Sequence, residues 1–453
     1  MSLKTAEVAH VLIALVALLG LAHLGGYLFH LMRQPQVIGE IVGGLVAGPT
    51  VLGQLAPAAQ HWLLPTTGPA AAVLGAFYQI GLLLLVYLTG TELRHRGGDP
   101  QRRTIGLIAV SGLALPFLCG LGVAEAVDLG DLAGPDGSPT TIALVFGMAI
   151  AVTSVPVISR IMLDLGILRT AFARIVLAVA VLEDVVLYVV LAVVLGVAQA
   201  HASDSYGLWA LYGTDSVAMA TVYFTAVPLV FLTVFLRWGP RAFTRISASP
   251  LNFLAVRSPI AFRLVFVFLS CAACTGLGID PVFGALVAGM CGAEAATPQT
   301  RTSDDALRSI SLGFFVPAYF AVVGVKLDLA RHFSLFFFLW FLLLACFAKS
   351  LSVWLGARMA GETNRSAINL AVAMNARGGP GIVLASVAFG AHIINEDFFT
   401  SLVLLSIITS QMAGVWLGRA VRKGELPAPA PSAPEEKHQE ITERGLQISG
   451  VEK

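Results

Sequence analysis

Glu183 and Asp184 stand side by side inside the apolar run IVLAVAVLEDVVLYVVLAVVLGVAQA, from Ile175 to Ala200. About 20 apolar residues suffice to cross a bilayer as a helix, so the run is long enough. Two carboxylates near its middle then cost ~2.5–3.5 kcal/mol each on insertion scales. Whatever this chain folds into must answer that charge. Of its 453 residues 57% are hydrophobic and 12% charged, against ~25% charged in soluble domains. The mean hydropathy is +0.83. The chain therefore reads as an all-α polytopic membrane protein, with the lipid bilayer as its surroundings. A net charge of +1, with no basic stripe interleaved with aromatics, leaves no case for nucleic acid as a partner. All five cysteines fall in apolar segments, and Cys271-x-x-Cys274 lacks a second pair or a nearby His. Those sulfurs read as small buried side chains, not a zinc site.

Hydropathy marks candidate helices near residues 7–31, 37–54, 71–93, 104–127, 140–163, 171–200, 214–236, 259–278, 281–296, 309–325, 333–359, 366–391 and 397–420. The first carries no cleavage signal and reads as a spanning helix that is kept. Basic residues test the count, because Lys and Arg prefer the cytoplasmic side. They fill alternate loops: Arg33, then Arg94 to Arg103, Arg160 to Arg174, Arg237 to Arg257, Arg301 and Arg308, Arg358 and Arg365, and finally Arg419 to Lys423. The loops between hold almost none apart from Lys326 and Arg331, and Asp128 to Pro139 is acidic. Such alternation requires each segment to cross once. The expectation is about 13 transmembrane helices in the plasma (inner) membrane, N-terminus outside and C-terminus cytoplasmic. Residues 1–423 are expected to form one membrane domain. The Pro-rich, then charged stretch 424–453 is expected to be a disordered cytoplasmic tail, too short for a nucleotide-binding domain.

Thirteen divides as six, a linker helix and six, with the halves in opposite orientation. Inverted repeats of that kind are typical of secondary transporters. The fifth and twelfth segments, seven apart, both contain breakers: Thr153, Ser154 and Pro156 in AVTSVPVISR, and Asn375, Arg377, Gly378, Gly379 and Pro380 in MNARGGPGIVL. Proline removes a backbone donor and glycine loosens a helix, so both are expected to unwind locally. Proline kinks also occur as purely structural features, and the matched positions are what favour function here.

Four ionisable residues lie deep: Glu183, Asp184, Lys349 and Arg377. Lys349, in LLLACFAKSLSVWLG, is too far from either end of its helix to snorkel, and Glu183 or Asp184 is its natural partner. One carboxylate satisfies one lysine, which leaves the second for a proton or a monovalent cation. Burial raises a carboxylate pKa and a neighbouring cation lowers it. Exclusive occupancy of such a group by a proton or an ion couples the two fluxes. Thr153 and Ser154 hydroxyls, with carbonyls freed by the break, offer the oxygens a hard cation takes. Arg377 can neutralise a negative helix end. Glu40, in QPQVIGEIVGGLVAGPTVLG, reads as a helix-start carboxylate, and Gly39, Gly43, Gly44 and Gly48 around it suit close helix packing. Glu92 with Arg94, and Asp304 with Asp305 in a cytoplasmic loop, read as structural. His23 and His30 read as helix-face residues.

Several stretches resemble the monovalent cation/proton antiporter superfamily, in the branch of bacterial sodium or potassium/proton antiporters related to Kef-type efflux systems and plant cation/proton exchangers. They are QPQVIGEIVGGLVAGPTVLG, LLLLVYLTGTEL, TSVPVISRIMLDLGIL with LAVAVLEDVV, GIDPVFGALVAGM, FFVPAYFAVVGVKLDL and AMNARGGPGIVLASVAFG, spanning residues 10–420. The resemblance implies an inverted-repeat fold with two broken, crossed helices. It also implies a homodimer in which a six-helix core moves against a dimerising scaffold by elevator-like alternating access. By position, Asp184 resembles the ion- and proton-binding aspartate, Thr153 and Ser154 match the broken-helix crossing, and Arg377 matches an arginine of the second break. Lys349 matches a lysine that pairs with the carboxylate preceding the aspartate. That preceding residue is Glu183 here, where relatives have Asp or Asn, so stoichiometry stays open. The Kef-type regulatory domain is not expected in the stretch after residue 423, so its gating is not carried over.

The expected function is exchange of Na+ or K+ for protons, with a monovalent cation at Asp184 and no cofactor. The alternative is a potassium efflux pathway without proton coupling. An enzyme is not expected, since the chain has no HExxH or GxSxG motif and no Ser/His pair in the membrane. A ligand-binding sensor would bind without flux.

Overall fold

The computed structural model describes residues 4–32, 34–93, 102–168, 170–199, 208–209, 217–249, 252–294 and 298–426. Arg33, Arg94, Arg96 and Arg169, and the tail from Pro427 onward, lie outside them. The architecture is all-helical. The helices are α1 (Thr5–Leu31), α2 (Gln36–Ala47), α3 (Pro69–Leu93), α4 (Arg102–Ala126), α5 (Pro139–Ala151), α6 (Val155–Asp164), α7 (Ala171–Gln199) and α8 (Val217–Ser247). They continue as α9 (Pro259–Gly276), α10 (Pro281–Glu294), α11 (Pro298–Ile310), α12 (Val316–Val325), α13 (Leu335–Met359), α14 (Asn364–Ala373), α15 (Gly378–Gly390) and α16 (Glu396–Arg422). Among the described residues, eleven helical stretches are long and apolar enough to cross a membrane, and Pro139–Ala151 and Pro281–Gly292 are shorter apolar helices.

The ends are written locally. Proline, whose missing N–H is no loss in a first turn, opens α3, α5, α9 and α10. Ser138, Ser334, Thr363 and Asn395 cap α5, α13, α14 and α16 by accepting a backbone N–H. Two expectations change. Residues 298–310 are helical, not loop, and run through a π-helical turn, Ser311–Phe315, into α12. Asp304 therefore lies on a helix, where its carboxylate takes the guanidinium of buried Arg263 from α9 in a two-point pair, the longer contact being 2.8 Å. The second predicted helix ends at Ala47, and a separate turn, Leu52–Leu55, follows.

The helices sort into two groups. One gathers α1, α2, α3, α9, α10, α11 and α12, and the other gathers α4, α5, α6, α7, α13, α14, α15 and α16. Each group draws on both halves of the chain. Helix α8 packs on α7 in one group and α10 in the other, and α7 also meets α10 directly. Glycines set the closest approaches within the first group. A methyl on Gly48 would come within 2.8 Å of the Val325 carbonyl oxygen, and one on Gly39 would strike the backbone of α1 at Gly25. Glu40 is buried in this tight α1–α2–α12 contact.

Candidate functional site

The second group is built around two interrupted helices. Helix α5 stops at Ala151; Val152 and Ser154 are extended, and α6 starts at Val155. The break is stabilised from its own sequence: the Ser154 hydroxyl accepts the Val157 N–H at 3.3 Å, and Pro156 in the first turn needs no partner for its nitrogen. The second interruption, residues 374–377, separates α14 from α15. Gly378 opens α15 with φ +32°, where a side chain is strained. A methyl there would also press on Val157 and on Ser154 Oγ.

The two breaks touch. The Thr153 hydroxyl donates to the Met374 carbonyl at 2.7 Å, and the Ser154 N–H donates to the Ala376 carbonyl at 2.6 Å. Thr153 spends its proton on that bond and keeps its oxygen lone pairs. Thr153 and Ser154 are both fully buried.

At the end of α5 three successive carbonyls face cationic donors. Arg377 donates to Ala149 from Nε and to Ile150 from a terminal nitrogen, both at 3.0 Å, and to Ala345 of α13 at 2.9 Å. Lys349 Nζ takes the third, Ala151. It also donates to the Gly112 carbonyl of α4 and to Glu183 Oε2 of α7, each at 2.8 Å. All three ammonium hydrogens thus have acceptors. A helix C-terminus carries roughly −0.5 charge, and here two full cations meet it. Glu183, Asp184, Lys349 and Arg377 are each 1% exposed or less. Asp184, beside Glu183 on α7, acts electrostatically on Lys349.

Of the two carboxylates that could pair with Lys349, the ion pair is made by Glu183, the one the resemblance implied. The carbonyls of Ala149, Ile150 and Ala151, expected as spare oxygens of the broken helix, are taken up by Arg377 and Lys349. One positioning residue, Gly112, escapes a reading of sequence, and a second, Asn375, was named there only as part of the break. Gly112 lets α4 pass the bridge: a methyl there would sit 2.9 Å from Glu183 Oε1 and 3.0 Å from Val353. Asn375 donates to Ser350 Oγ at 2.8 Å and accepts from Arg377 at 3.2 Å, tying the arginine to the helix that carries Lys349. A glycine within an apolar helix gives no signal of its own, while Asn375 was visible as a polar residue in a break.

Charges buried at the crossing of two broken helices define a class, the polytopic membrane transporter with discontinuous helices. The family described as "Sodium/hydrogen exchanger, transmembrane" matches residues 14–423, and the chain belongs to it. Among curated proteins, it is similar to Cation/H(+) antiporter 19 of Arabidopsis thaliana, 27% identical over 88% of this chain and 48% of that protein. It is also similar to the Na(+)/H(+) antiporter NhaS4 of Synechocystis, 27% identical over 88% of this chain and 94% of that one. The chain thus spans about half the length of the plant relative, at 48%. The solved structure of the sodium proton antiporter MjNhaP1 from Methanocaldococcus jannaschii shares the fold. Its TM-score is 0.62 at 14% identity, covering 94% of this chain and 100% of that one.

Proposed function

We propose that this protein exchanges a monovalent cation, Na+ or K+, for protons across the membrane, with Asp184 holding either the cation or the proton. The observation that carries the reading is the charge balance of the buried set. Glu183, Asp184, Lys349 and Arg377, all ionised, sum to zero, and the Lys349–Glu183 bridge accounts for one carboxylate. A proton or a monovalent cation on Asp184 changes that sum by the same single charge, so each can replace the other and both cannot bind together. Thr153 Oγ1, its lone pairs oriented by the bond to Met374, and Ser154 supply neutral oxygens beside the break. Lys349 and Arg377 neutralise the α5 end and hold the crossing open. The relatives, a cation/proton and a sodium/proton antiporter by name, favour the same reading.

On this reading the two helix groups serve alternating access. The group holding the site moves as an elevator-like core against the other, which serves as the scaffold of a homodimer. On the same reading the broken pair α5–α6 and the short α10 each cross once beside the eleven long spans, which would give thirteen crossings, with the N-terminus outside and the C-terminus in the cytoplasm of a cell whose plasma membrane holds the protein.

Proteoliposomes carrying an internal pH dye, under an imposed pH gradient, provide the test. Adding Na+, K+ or Li+ should move protons in the wild type, and Asp184→Asn should abolish that movement. Cation flux that proceeds with no proton movement would instead support a potassium efflux pathway. Normal exchange by Asp184→Asn would remove Asp184 from the site.

A further inference from the structure

Tyr188 follows Asp184 by one helical turn on α7, so the two side chains share a helix face. Side chains on a helix lean toward its N-terminus, which tilts the phenol of residue 188 back over the turn that carries Asp184. The residue is 2% exposed. Its hydroxyl finds no hydrogen-bond partner among the described residues. A buried hydroxyl in that condition is costly, and phenylalanine would fill the same space without the cost. The phenol interacts electrostatically with Asp184 and, in the other helix group, with Tyr319. Tyr319 in turn donates to Ser386 Oγ of α15 at 3.0 Å. The unspent hydroxyl is therefore within electrostatic reach of the carboxylate proposed to bind the ion, close to where the two groups meet.

The geometry points to Tyr188 as a further ligand of the exchange site, its phenolic oxygen coordinating the monovalent cation held at Asp184. This rests on the exchange reading above and adds a residue to it. A phenol oxygen is a neutral, hard donor of the kind alkali cations take. Its ring lies in the buried core, which leaves the oxygen little freedom to adapt. Li+, Na+ and K+ differ in the oxygen distance they prefer, and a rigid ligand discriminates among them where a mobile one adapts.

Tyr188→Phe keeps the ring and removes only the oxygen. In proteoliposomes with Na+, K+ and Li+, beside wild type and Asp184→Asn, the apparent KM for the transported cation should rise at least about fivefold. The maximal rate should stay within about twofold, and the order of preference among the three ions should change. For the purified variant, the unfolding midpoint without cation should be no lower than wild type, while its upshift on adding cation should shrink. An unchanged KM with an unchanged ion order overturns the assignment. If the wild type exchanges no protons for any of these ions, the exchange reading fails on its own account. The cation-dependent upshift then decides on Tyr188, and a shift equal in both proteins, or absent from both, overturns it.

Discussion

Lys349 illustrates what a single buried charge demands. Its ammonium meets Gly112, Ala151 and Glu183, one acceptor for each hydrogen. Removing one partner of a buried pair leaves the other uncompensated, at ~3–5 kcal/mol. Lys349→Gln and Glu183→Gln should each lower thermal stability by that order, and the double variant should regain most of the loss, as a double-mutant cycle of melting curves would record. All three of its hydrogens are engaged, two by carbonyls and one by the carboxylate. On the exchange reading proposed above, with Asp184 as the carrier and the bridge kept, one proton leaves for each cation bound. Exchange should be 1:1 and insensitive to a potential clamped with an ionophore; a rate that follows the clamp would bring Lys349 into the proton cycle. Gly112→Ala should also be destabilising, by ~1–3 kcal/mol for an overpacked site, because its methyl meets Glu183 and Val353 at 2.9 and 3.0 Å.

At the scale of the element, α5 is a half-helix that ends inside the protein. Four carbonyls at any helix end lack intrahelical partners, and water cannot serve them here. Arg377 suits the task because a guanidinium is a fork of five donors, and it spreads them over Ala149, Ile150, Ala345 and Asn375. Lysine has three donors at one point and cannot span the same set. Arg377→Lys should therefore fail to restore what Arg377→Gln loses, and in both variants amide exchange at residues 149–153 should quicken, read by hydrogen–deuterium exchange mass spectrometry. Protection equal to wild type in Arg377→Lys would show that charge alone holds the end.

For the whole molecule, the segment between α12 and α13 joins the two helix groups along the chain. It is gripped from both sides. The Thr50 hydroxyl, in the turn after α2, donates to the Leu327 carbonyl at 2.6 Å and accepts the Leu329 N–H at 3.1 Å. His332 reaches Glu396 and Asp397 at the start of α16, each at 2.9 Å. Thr50→Val should free one side of this connection and lower stability by ~1 kcal/mol, the net worth of a typical hydrogen bond, measurable as a small drop in melting temperature. Asp280, in the turn between α9 and α10, is pushed up to about 6 by burial. Its unfolded form gives up the proton first, so the unfolded chain binds fewer protons between the ordinary carboxylate range and pH 6. Stability from this residue therefore falls as pH rises through that window. Asp280→Asn should flatten that limb of a melting-temperature profile.

Much of this was legible in the residues. The apolar runs carry their own lengths, Pro156 and the Gly378-Gly379-Pro380 series mark the two breaks, and charges as deep as Glu183, Asp184, Lys349 and Arg377 stand out because burying them is costly. Those are local or compositional signals, and a chain in lipid has few ways to hide them. Which carbonyls Lys349 and Arg377 cover, why Gly112 must lack a side chain, and that Arg263 closes on Asp304 all depend on segments far apart in the chain arriving at the same point. Lys349 and Glu183 are 166 positions apart, and Arg377 and Ala149 are 228. No pattern along the sequence carries such a distance, because helix packing brings the donors and acceptors together and the low dielectric between helices makes each pairing matter.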